Sequence, residues 1–327
     1  MQKQEYVLGL DIGGTKIAAG LVDLRGRLAA RMEVPTEQEK GFHHSFSRMK
    51  EALEAILAHP LLQDGSVSGI GACAPGPLDP AEGILFNPPN LLGWKDFRIR
   101  ESLESMTGLP VHVDNDANAA GLAEAIWGAA AGYADVFYAT VSTGVGTAII
   151  RNRSIVHGKN GVAGEGGHVT INFSDQAFVC NCGNIGCIEA YASGIHVARR
   201  ARDRLKKLPG MPRLIAEATG GQIENLTMEH LDLAARQGDA FSQEIIQQTG
   251  TYLGIWLGGI VSLLDPDVIV IGGGLTRIGE PLFQTIRVEM PRRTINRFAA
   301  STPIVPAALD RDVGIYGAAA LCLGGCP

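Results

Sequence analysis

Apolar residues cluster in short runs along the first quarter of the chain, and turn residues separate them. Residues 6–11 (YVLGLD) and 16–23 (KIAAGLVD) are two such runs, with two adjacent glycines between them. Runs of this length bounded by turn residues are typical of strands. The pattern therefore predicts a β-hairpin, then a third strand at 27–34 and a helix at 42–58 that ends before Pro60.

The middle of the chain continues this alternation of strands, turns and helices. A buried strand at 68–72 precedes a proline-rich stretch at 75–90, which predicts a loop. A strand at 111–114 leads into an alanine-rich helix at 117–127. The later predicted elements are a second hairpin formed by 136–141 and 146–151, helices at 193–208, 214–218 and 227–264, a strand at 268–271 and a last helix at 314–323.

This succession of elements predicts an α/β protein, and the length of the chain predicts two lobes. Single hydrophobic cores stop growing at about 250–300 residues, and this chain has 327. No low-complexity segment or long run of charge marks a linker, so the favoured boundary is the strand-to-helix turn after Asp116. We therefore expect a smaller lobe at 1–116 and a larger one at 117–311.

Charge and hydropathy exclude several classes of protein. Mean hydropathy is only +0.10, and no window approaches about 18 uncharged apolar residues, so no membrane association is expected. A net charge of -6 provides no global positive field, so nucleic acid is not an expected partner. The polar residues 1–5 lead straight into the first strand without room for an export signal, and we expect a cytoplasmic protein.

Three of the six cysteines lie within eight residues of one another. Cys180, Cys182 and Cys187 follow His168, and together they offer one imidazole and three thiolates. Four such ligands fill the tetrahedral shell of Zn²⁺, which predicts a structural zinc site without an open position for a catalytic water. The alternative is three buried cysteines beside a core histidine. The remaining cysteines have no partner at a metal-binding spacing and are expected in the core or the tail: Cys73, Cys322 and Cys326.

The first glycine turn has the residue types of a phosphate site. Gly13 and Gly14 allow backbone N–H groups to approach a phosphate, Thr15 adds a hydroxyl and Lys16 a positive charge. Asp11 can hold Mg²⁺ beside that phosphate. The sequence is not a Walker A loop, and the alternative is a plain hairpin turn.

Two later glycine turns suggest that the phosphate belongs to a nucleotide. The turn at 142–146 (STGVG), with Thr143 and Gly144, repeats the arrangement of the first turn. The strand at 268–271 ends in three glycines, of which Gly273 and Gly274 would let backbone pass a flat nucleobase. Together the three turns predict a nucleotide site.

Carboxylates at the end of a strand and near the cysteines complete the candidate chemistry. Asp116 follows the strand at 111–114 and can accept the proton of a hydroxyl that attacks a phosphoryl group. The alternative is that Asp114 or Asp116 caps the next helix. Glu165, His168 and Glu189 could bind sugar hydroxyls, although a glutamate taken alone is more often a solvated surface residue.

Four segments together resemble the ROK family of sugar kinases and repressors. They are LGLDIGGTKIAAGLVD at 8–23, VDNDANAA at 113–120, STGVG at 142–146, and GEGGH followed by CNCGNIGCIEAYASG. The resemblance extends nearly from end to end. It implies the two-lobed, actin-like ATPase (ribonuclease H-like) fold, in which a last helix at about 312–327 completes the first lobe.

The resemblance also implies a reaction and roles for individual residues. It implies that lobes close on a hexose and MgATP, and that glucose is converted to glucose 6-phosphate with Asp116 as catalytic base. The implied sugar contacts are Asn90 within NPPNLLGW, Asn115, Asp116, Glu165, His168 and Glu189. The implied zinc ligands are His168, Cys180, Cys182 and Cys187, and the turns at 11–16 and 142–146 take the phosphate roles. A homodimer or a dimer of dimers is expected.

Alternatives within and beyond enzymes stay open at this stage. N-acetylmannosamine, N-acetylglucosamine and fructose compete with glucose as substrate. ROK repressors carry a DNA-binding domain before the shared core, whereas the first strand here begins at Tyr6; the retained Asp116 also favours an enzyme over a non-catalytic sugar sensor. Two positions depart from the family pattern: Gly166 stands where GEIGH has isoleucine, and Thr147 where a third glycine is frequent.

Overall fold

A computed structural model describes residues 4–324, and these form two compact units. The first unit comprises the chain up to Val136, the segment Ala148–Gly164 and the chain from Ala307 on. The second comprises Phe137–Thr147 and Glu165–Pro306. Cys326, expected in the core or the tail, lies outside the described residues.

Within residues 4–134 the structure contains eleven α-helices and strands. They are β1 (Gln4–Ile12), β2 (Lys16–Asp23), β3 (Leu28–Pro35), α1 (Phe42–Leu57), β4 (Gly65–Ala74), β5 (Leu78–Asp79), β6 (Ile84–Leu85), β7 (Phe97–Arg98), α2 (Ile99–Thr107), β8 (Val111–Asn115) and α3 (Asp116–Ile126).

The later elements begin with a second hairpin. They are β9 (Asp135–Val141), β10 (Val145–Arg151), β11 (Ser154–Ile155), α4 (Glu189–Ala192), α5 (Gly194–Leu205), α6 (Arg213–Thr219), α7 (Met228–Arg236), α8 (Ala240–Leu264), β12 (Val268–Gly272), α9 (Glu280–Glu289), β13 (Ile304–Pro306) and α10 (Val313–Ala320). None of these helices combines the length and apolar character that a membrane span requires.

The sheet of the first unit has the strand order β3-β2-β1-β4-β8. The predicted hairpin of β1 and β2 is antiparallel, whereas β1, β4 and β8 run parallel. The parallel register pairs Asp11 with Cys73 and Cys73 with Asp114. Three strands therefore end side by side, and the residues that follow them meet at one edge of the sheet.

Helix α10 packs against β1, β2, β4 and α3. It can lie close to the sheet because Gly9 and Gly71 lack side chains: a Cβ at Gly9 would collide with the backbone of Ile315, and one at Gly71 with that of Ala318. Part of the glycine content that the sequence shows thus serves helix-to-sheet packing. The other face of the sheet is covered by α1, whose Met49 and Leu53 share a core cluster with β1.

Helix α3, which the sequence boundary at Asp116 placed in the other lobe, belongs to the first unit. It packs against α10, and its fully buried Glu124 connects it to the chain that leads into α10. The Glu124 carboxylate accepts hydrogen bonds from the backbone N–H groups of Ala308 and Leu309, each at 2.9 Å. A buried carboxylate requires such donors, so α3 and the returning C-terminal segment stabilise each other.

The second five-stranded sheet repeats the strand order of the first. Its order is β11-β10-β9-β12-β13, so in both sheets the third, second, first, fourth and fifth strands follow one another. The repeated hairpin that the sequence showed is thus part of a repeated sheet.

Two sequence predictions need correction. The proline-rich stretch predicted as a loop contains β5 and β6, which pair with β7 in a small sheet because Leu78, Ile84 and Leu85 supply apolar strand residues between the prolines. The helix predicted at 227–264 is two helices, α7 and α8. Gly238 adopts a left-handed φ of 91°, and Asp239 then caps α8 by accepting from the N–H of Ser242 at 2.8 Å.

Candidate functional site

The first glycine turn connects β1 to β2 and is held by its own backbone. The N–H of Gly13 donates to the carbonyl of Lys16 at 2.9 Å, and the Thr36 hydroxyl donates to the carbonyl of Gly13 at 2.6 Å. The Lys16 ammonium forms a salt bridge with Glu33 at 3.0 Å and is partly exposed. A phosphate would therefore meet a fixed turn and a cation that can exchange partners.

Asp11 lies half-buried at the end of β1, before this turn. The Cys73 thiol donates to its Oδ1 at 3.5 Å. Burial, followed by the negative charge of Asp116, raises the pKa of Asp11 to about 6. Burial and Asp116 disfavour the negative charge of Asp11, and a bound cation would offset this effect. The predicted Mg²⁺ role fits this environment.

Asp116 begins α3 beside the end of β8 and is exposed. The cap that the sequence alternative assigned to Asp114 or Asp116 is provided by Asn115, whose Oδ1 accepts from the N–H groups of Ala117 and Asn118 at 2.9 and 3.4 Å. The side-chain oxygen of Asn115 is thus used to cap the helix. Its side-chain nitrogen, Nδ2, is the group that can donate a hydrogen bond to a ligand. The Asp116 carboxylate accepts from the N–H of Ala117 at 2.8 Å.

Asn90 belongs to the same unit and lies directly against the first turn. A Cβ at Gly14 would collide with the carbonyl oxygen of Asn90. The loop that carries Asn90 is anchored by the buried Trp94, whose indole N–H donates to Ser45 at 2.8 Å. The first unit therefore gathers the turn at 11–16, Asn90, Asn115 and Asp116.

In the second unit, the turn at 142–146 is fastened to α4 and α5. The N–H of Gly194 donates to the carbonyl of Ser142 at 2.7 Å, and the N–H of Val145 donates to Oε2 of Glu189 at 3.0 Å. A Cβ at Gly144 would stand 2.8 Å from the same oxygen. The glycine at this turn therefore makes room for the Glu189 carboxylate, which the sequence had placed among the sugar ligands.

The four predicted metal ligands come together in the second unit. One ligand atom from each of His168, Cys180, Cys182 and Cys187 lies within 4.8 Å of the others. Nδ1 of His168 is 3.6 Å from Sγ of Cys180, and the sulfurs of Cys182 and Cys187 are 3.8 Å apart. Tetrahedral zinc with bonds of about 2.0–2.3 Å requires ligand separations of about 3.5–3.8 Å, so this donor set fits the ion.

The protonation of the thiols determines when such an ion binds. Burial raises the pKa of Cys180 and of Cys187, whereas the N–H of Asn184 lowers the pKa of Cys182. Since zinc binds thiolates, binding must release protons, and the affinity must rise with pH.

Glu165 and His168 flank a short 3₁₀ turn at Gly166–His168. The Glu165 carboxylate is exposed, and Nδ1 of His168 faces Cys180. The other ring nitrogen of His168 is therefore the one that can contact a ligand. Sγ of Cys180 also lies 3.4 Å from Oε1 of Glu189, so this predicted sugar-binding carboxylate adjoins the candidate metal ligands.

A cavity of about 400 Å³ lies next to the turn at 142–146 in the same unit. Thr143 and Gly274, both predicted to bind nucleotide, line it. Gly273 does not: it adopts a φ of 87° against the backbone of Val141, where a side chain would collide. The cavity volume falls within the usual range for small-molecule sites.

Several residues that line this cavity were not found from the sequence. The walls include α5, the start of α7 and the 3₁₀ segment Gly274–Ile278. Arg202 is among them, and its Nε is buried without a hydrogen-bond partner among residues 4–324. Its helix shows an amphipathic pattern but no motif, so nothing in the sequence distinguished Arg202 from other surface cations.

The two departures from the family pattern contact each other. The Thr147 hydroxyl accepts a hydrogen bond from the N–H of Gly166 at 2.9 Å. A Cβ at Gly166 would stand 2.7 Å from that hydroxyl oxygen. Thr147 thus occupies the space that a larger residue at 166 would need, and its hydroxyl holds the backbone beside Glu165.

A family model described as the ROK family matches residues 7–324. A glucokinase of Halalkalibacterium halodurans is 33% identical over 312 residues, which cover 95% of this chain and 93% of that protein. A xylose repressor of Bacillus spizizenii is 26% identical over 332 residues, which cover 98% of this chain and 78% of the repressor.

Solved structures show the same likeness. A ROK hexokinase from Thermus thermophilus matches with a TM-score of 0.81 at 34% identity, and the match covers 97% of each chain. A ROK family glucokinase from Streptomyces griseus, in complex with glucose and AMPPNP, matches with a TM-score of 0.77 at 32% identity over 98% of this chain and 99% of that one. These likenesses confirm the predicted actin-like ATPase fold.

The contact between Thr147 and Gly166 predicts strong coupling between two substitutions. Gly166→Ile alone should destabilise the protein by about 1–3 kcal/mol, because the new side chain overlaps Thr147. Adding Thr147→Gly should recover about 1–2 kcal/mol of that loss. Urea denaturation of the four proteins in the cycle measures the coupling.

A matched cycle provides the control. Gly210 has no atoms within 4 Å of an added Cβ, so Gly210→Ile should combine with Thr147→Gly additively to within about 0.5 kcal/mol. Additive behaviour of the 147 and 166 pair as well would show that the two positions are independent.

The cysteine cluster predicts one zinc ion per chain. Elemental analysis after gel filtration should find about one equivalent, because four protein ligands hold the ion. Cys187→Ser should remove most of it, and Cys322→Ser, a substitution of a cysteine outside the cluster, should leave the zinc content unchanged. Zinc-free protein from a preparation without chelators, or zinc retained by Cys187→Ser, would refute the assignment.

Proposed function

This chain belongs to the ROK family, and we propose that it is an ATP-dependent hexose kinase that converts glucose to glucose 6-phosphate. The observation that carries the proposal is the exposed carboxylate of Asp116 at the start of α3, with the half-buried Asp11 as its neighbour in the same unit. Asp116 can accept the proton of a sugar hydroxyl, and Asp11 can hold Mg²⁺.

In the proposed reaction, the 6-hydroxyl oxygen of the sugar attacks the γ-phosphorus of ATP. A new P–O bond forms, the bond to the β-phosphate oxygen breaks, and ADP leaves. Asp116 accepts the hydroxyl proton. Mg²⁺, when bound, neutralises charge on the phosphoryl oxygens, and Asp11 is the residue that fits it.

Sugar recognition rests on groups that can bridge neighbouring hydroxyls. The amide nitrogen of Asn115, the exposed carboxylate of Glu165 and the second ring nitrogen of His168 supply them. Glu189 and Asn90 are the remaining proposed contacts. Polar groups that pair with the hydroxyls of one sugar discriminate against sugars that leave them unpaired. The glucokinase of H. halodurans supports glucose over the N-acetylhexosamines and fructose.

ATP is proposed to place its nucleoside in the cavity beside Thr143 and Gly274. Arg202 lines that cavity, and its positive charge favours an anionic ligand such as a nucleotide. The turn at 142–146 and the turn at 11–16 are proposed to bind phosphate through their backbone N–H groups. The zinc ion is proposed to be structural, because His168 and three thiolates leave no open position for water.

A sugar-sensing regulator is the alternative from another class, since xylose repressors are among the relatives. The Asp116 carboxylate favours the enzyme, because a sensor has no proton to accept. Assembly as a homodimer or a dimer of dimers and a cytoplasmic location belong to the same proposal and rest on the family resemblance alone.

The first test measures ADP release with MgATP against glucose, N-acetylmannosamine, N-acetylglucosamine, fructose and mannose. We expect the highest kcat/KM with glucose. Asp116→Asn should lower kcat by about 10²–10⁴-fold with little change in sugar affinity, because it removes the base and preserves the shape. Asp64→Asn, an exposed substitution in a turn, is the matched control. No turnover with any sugar would favour the sensor.

The pKa of Asp11 predicts how kcat/KM for MgATP falls at acidic pH. Since burial raises this pKa to about 6, the carboxylate loses its charge as the pH falls through that value, and kcat/KM for MgATP should fall with it. Cys73→Ala removes a hydrogen bond that stabilises the charged form, so the acid limb should move to higher pH. Cys322→Ala is the control, and an unmoved limb in Cys73→Ala would exclude Asp11 as the titrating group.

A further inference from the structure

A second cavity, of about 760 Å³, lies in the first unit, and no residue of the three glycine turns lines it. It runs along β8, the last strand of its sheet. Its other walls come from the chain at 79–81, from α2, from the β10–β11 connection and from the segment at 157–161. The function proposed above uses no residue of this cavity.

Three cations of this cavity form no salt bridge within residues 4–324. Arg153 and Lys159 are exposed, and no side-chain hydrogen bond or ion pair is formed by either in that range. The Arg100 guanidinium donates to the carbonyls of Ala81 and Pro80 at 2.5 and 2.6 Å, and its Nε is buried without a partner. Three carboxylates also line the cavity: Asp79 accepts from the N–H groups of Ala81 and Glu82, Asp114 contacts His157, and Glu104 forms no salt bridge within residues 4–324. Cations that have no carboxylate partner favour an anionic ligand.

Two histidines of the cavity differ in charge. Nε2 of His157 lies 2.6 Å from Oδ2 of Asp114, and this hydrogen bond raises the pKa of His157. Burial and the nearby Arg100 lower the pKa of His112, which is therefore a neutral hydrogen-bonding group. Because Asp79 and Asp114 are hydrogen-bonded within the protein, the positive charge that is available to a ligand comes from Arg100, Arg153 and Lys159.

The size and the remaining walls of the cavity specify the ligand further. A volume of about 760 Å³ accommodates a ligand that is larger than a phosphate group. Glu104, Ser154 and Asn160 also line it and can pair with hydroxyl groups. A phosphate monoester of a polyol has both the charged head and the hydroxyls that these walls require.

The cavity is connected to the proposed catalytic base through two hydrogen bonds. His157 contacts Oδ2 of Asp114, and Oδ1 of Asp114 accepts from the N–H of Asn115 and the amide of Asn118 at 2.7 and 2.9 Å. Asn115 precedes Asp116 and caps its helix. A ligand that contacts His157 would therefore affect the hydrogen bonds that position Asn115 and, through it, Asp116.

We propose that this cavity is a second ligand site, which binds a phosphorylated sugar and thereby changes the turnover of the enzyme. The effect on turnover rests on the kinase function proposed above. The binding of the ester rests only on the cavity.

Binding is tested by calorimetric titration of glucose 6-phosphate into the full chain saturated with glucose and AMPPNP, so that the proposed active site is occupied. The wild type should still bind one equivalent. Arg153→Ala combined with Lys159→Ala should bind at least about tenfold more weakly, a loss of about 1.4 kcal/mol. Arg25→Ala combined with Arg98→Ala removes two exposed cations of the same unit outside the cavity and should change the affinity less than twofold.

The same titration shows whether the sugar part of the ligand contributes to the affinity. Inorganic phosphate should bind at least tenfold more weakly than glucose 6-phosphate, and equal affinity would overturn the assignment of a sugar ester. No binding to the saturated wild type, or equal binding by the Arg153 and Lys159 variant, would overturn the site itself. Because the readout is binding, a chain that failed every kinase assay could be titrated without the blocking ligands, and the two failures would be distinguished.

Regulation is tested by kcat at saturating glucose and MgATP, where the ester cannot compete with sugar. Added glucose 6-phosphate should change kcat at least twofold in the wild type and in the Arg25 and Arg98 control. It should have no effect in the Arg153 and Lys159 variant. An unchanged kcat in the wild type would overturn the regulatory role.

Discussion

The parallel register of β1, β4 and β8 is the constraint on which the candidate chemistry of the first unit depends. It places the end of β1 beside Cys73 and Cys73 beside Asp114. The carboxylates that follow these strands are therefore neighbours without any long loop to position them. Because α10 packs closely over Gly9 and Gly71, the register is held by packing on one face as well as by the ladder, which makes the spacing of the functional groups rigid.

The second sheet uses the same strand order, yet its glycine turn is secured by different means. In the first turn the Thr36 hydroxyl and backbone hydrogen bonds hold the chain. In the second, the side chain of Glu189 accepts the N–H of Val145. A repeated topology thus supplies two turns of similar sequence, and their separate partners allow the two to differ in function.

The sequence predicted the hairpins, most helices and the clustering of the four candidate metal ligands, because those depend on local patterns. It did not predict α2 or α9, although Gly108 ends α2 in the left-handed conformation and Pro281 lies in the first turn of α9. Both helices are short, with nine and ten residues. Its alternative for Asp114 or Asp116 was the cap of α3, a role that Asn115 takes. It also could not show that Thr147 and Gly166 meet, or that Arg202 lines a cavity, because such contacts join residues that are distant in the chain.

Glu189 connects the cysteine loop to the glycine turn at 142–146. Oε1 of Glu189 lies near Sγ of Cys180, and Oε2 accepts from the turn at 142–146. Both oxygens thus have a partner before any ligand arrives, so the carboxylate cannot rotate without losing one of them. If zinc takes Sγ of Cys180 as a thiolate, the S–H that faces Oε1 is lost, and Oε1 becomes the Glu189 oxygen that is open to a ligand. Oε2 would still hold the turn at 142–146. The proposed zinc site and the proposed sugar contact at Glu189 are therefore coupled through Cys180.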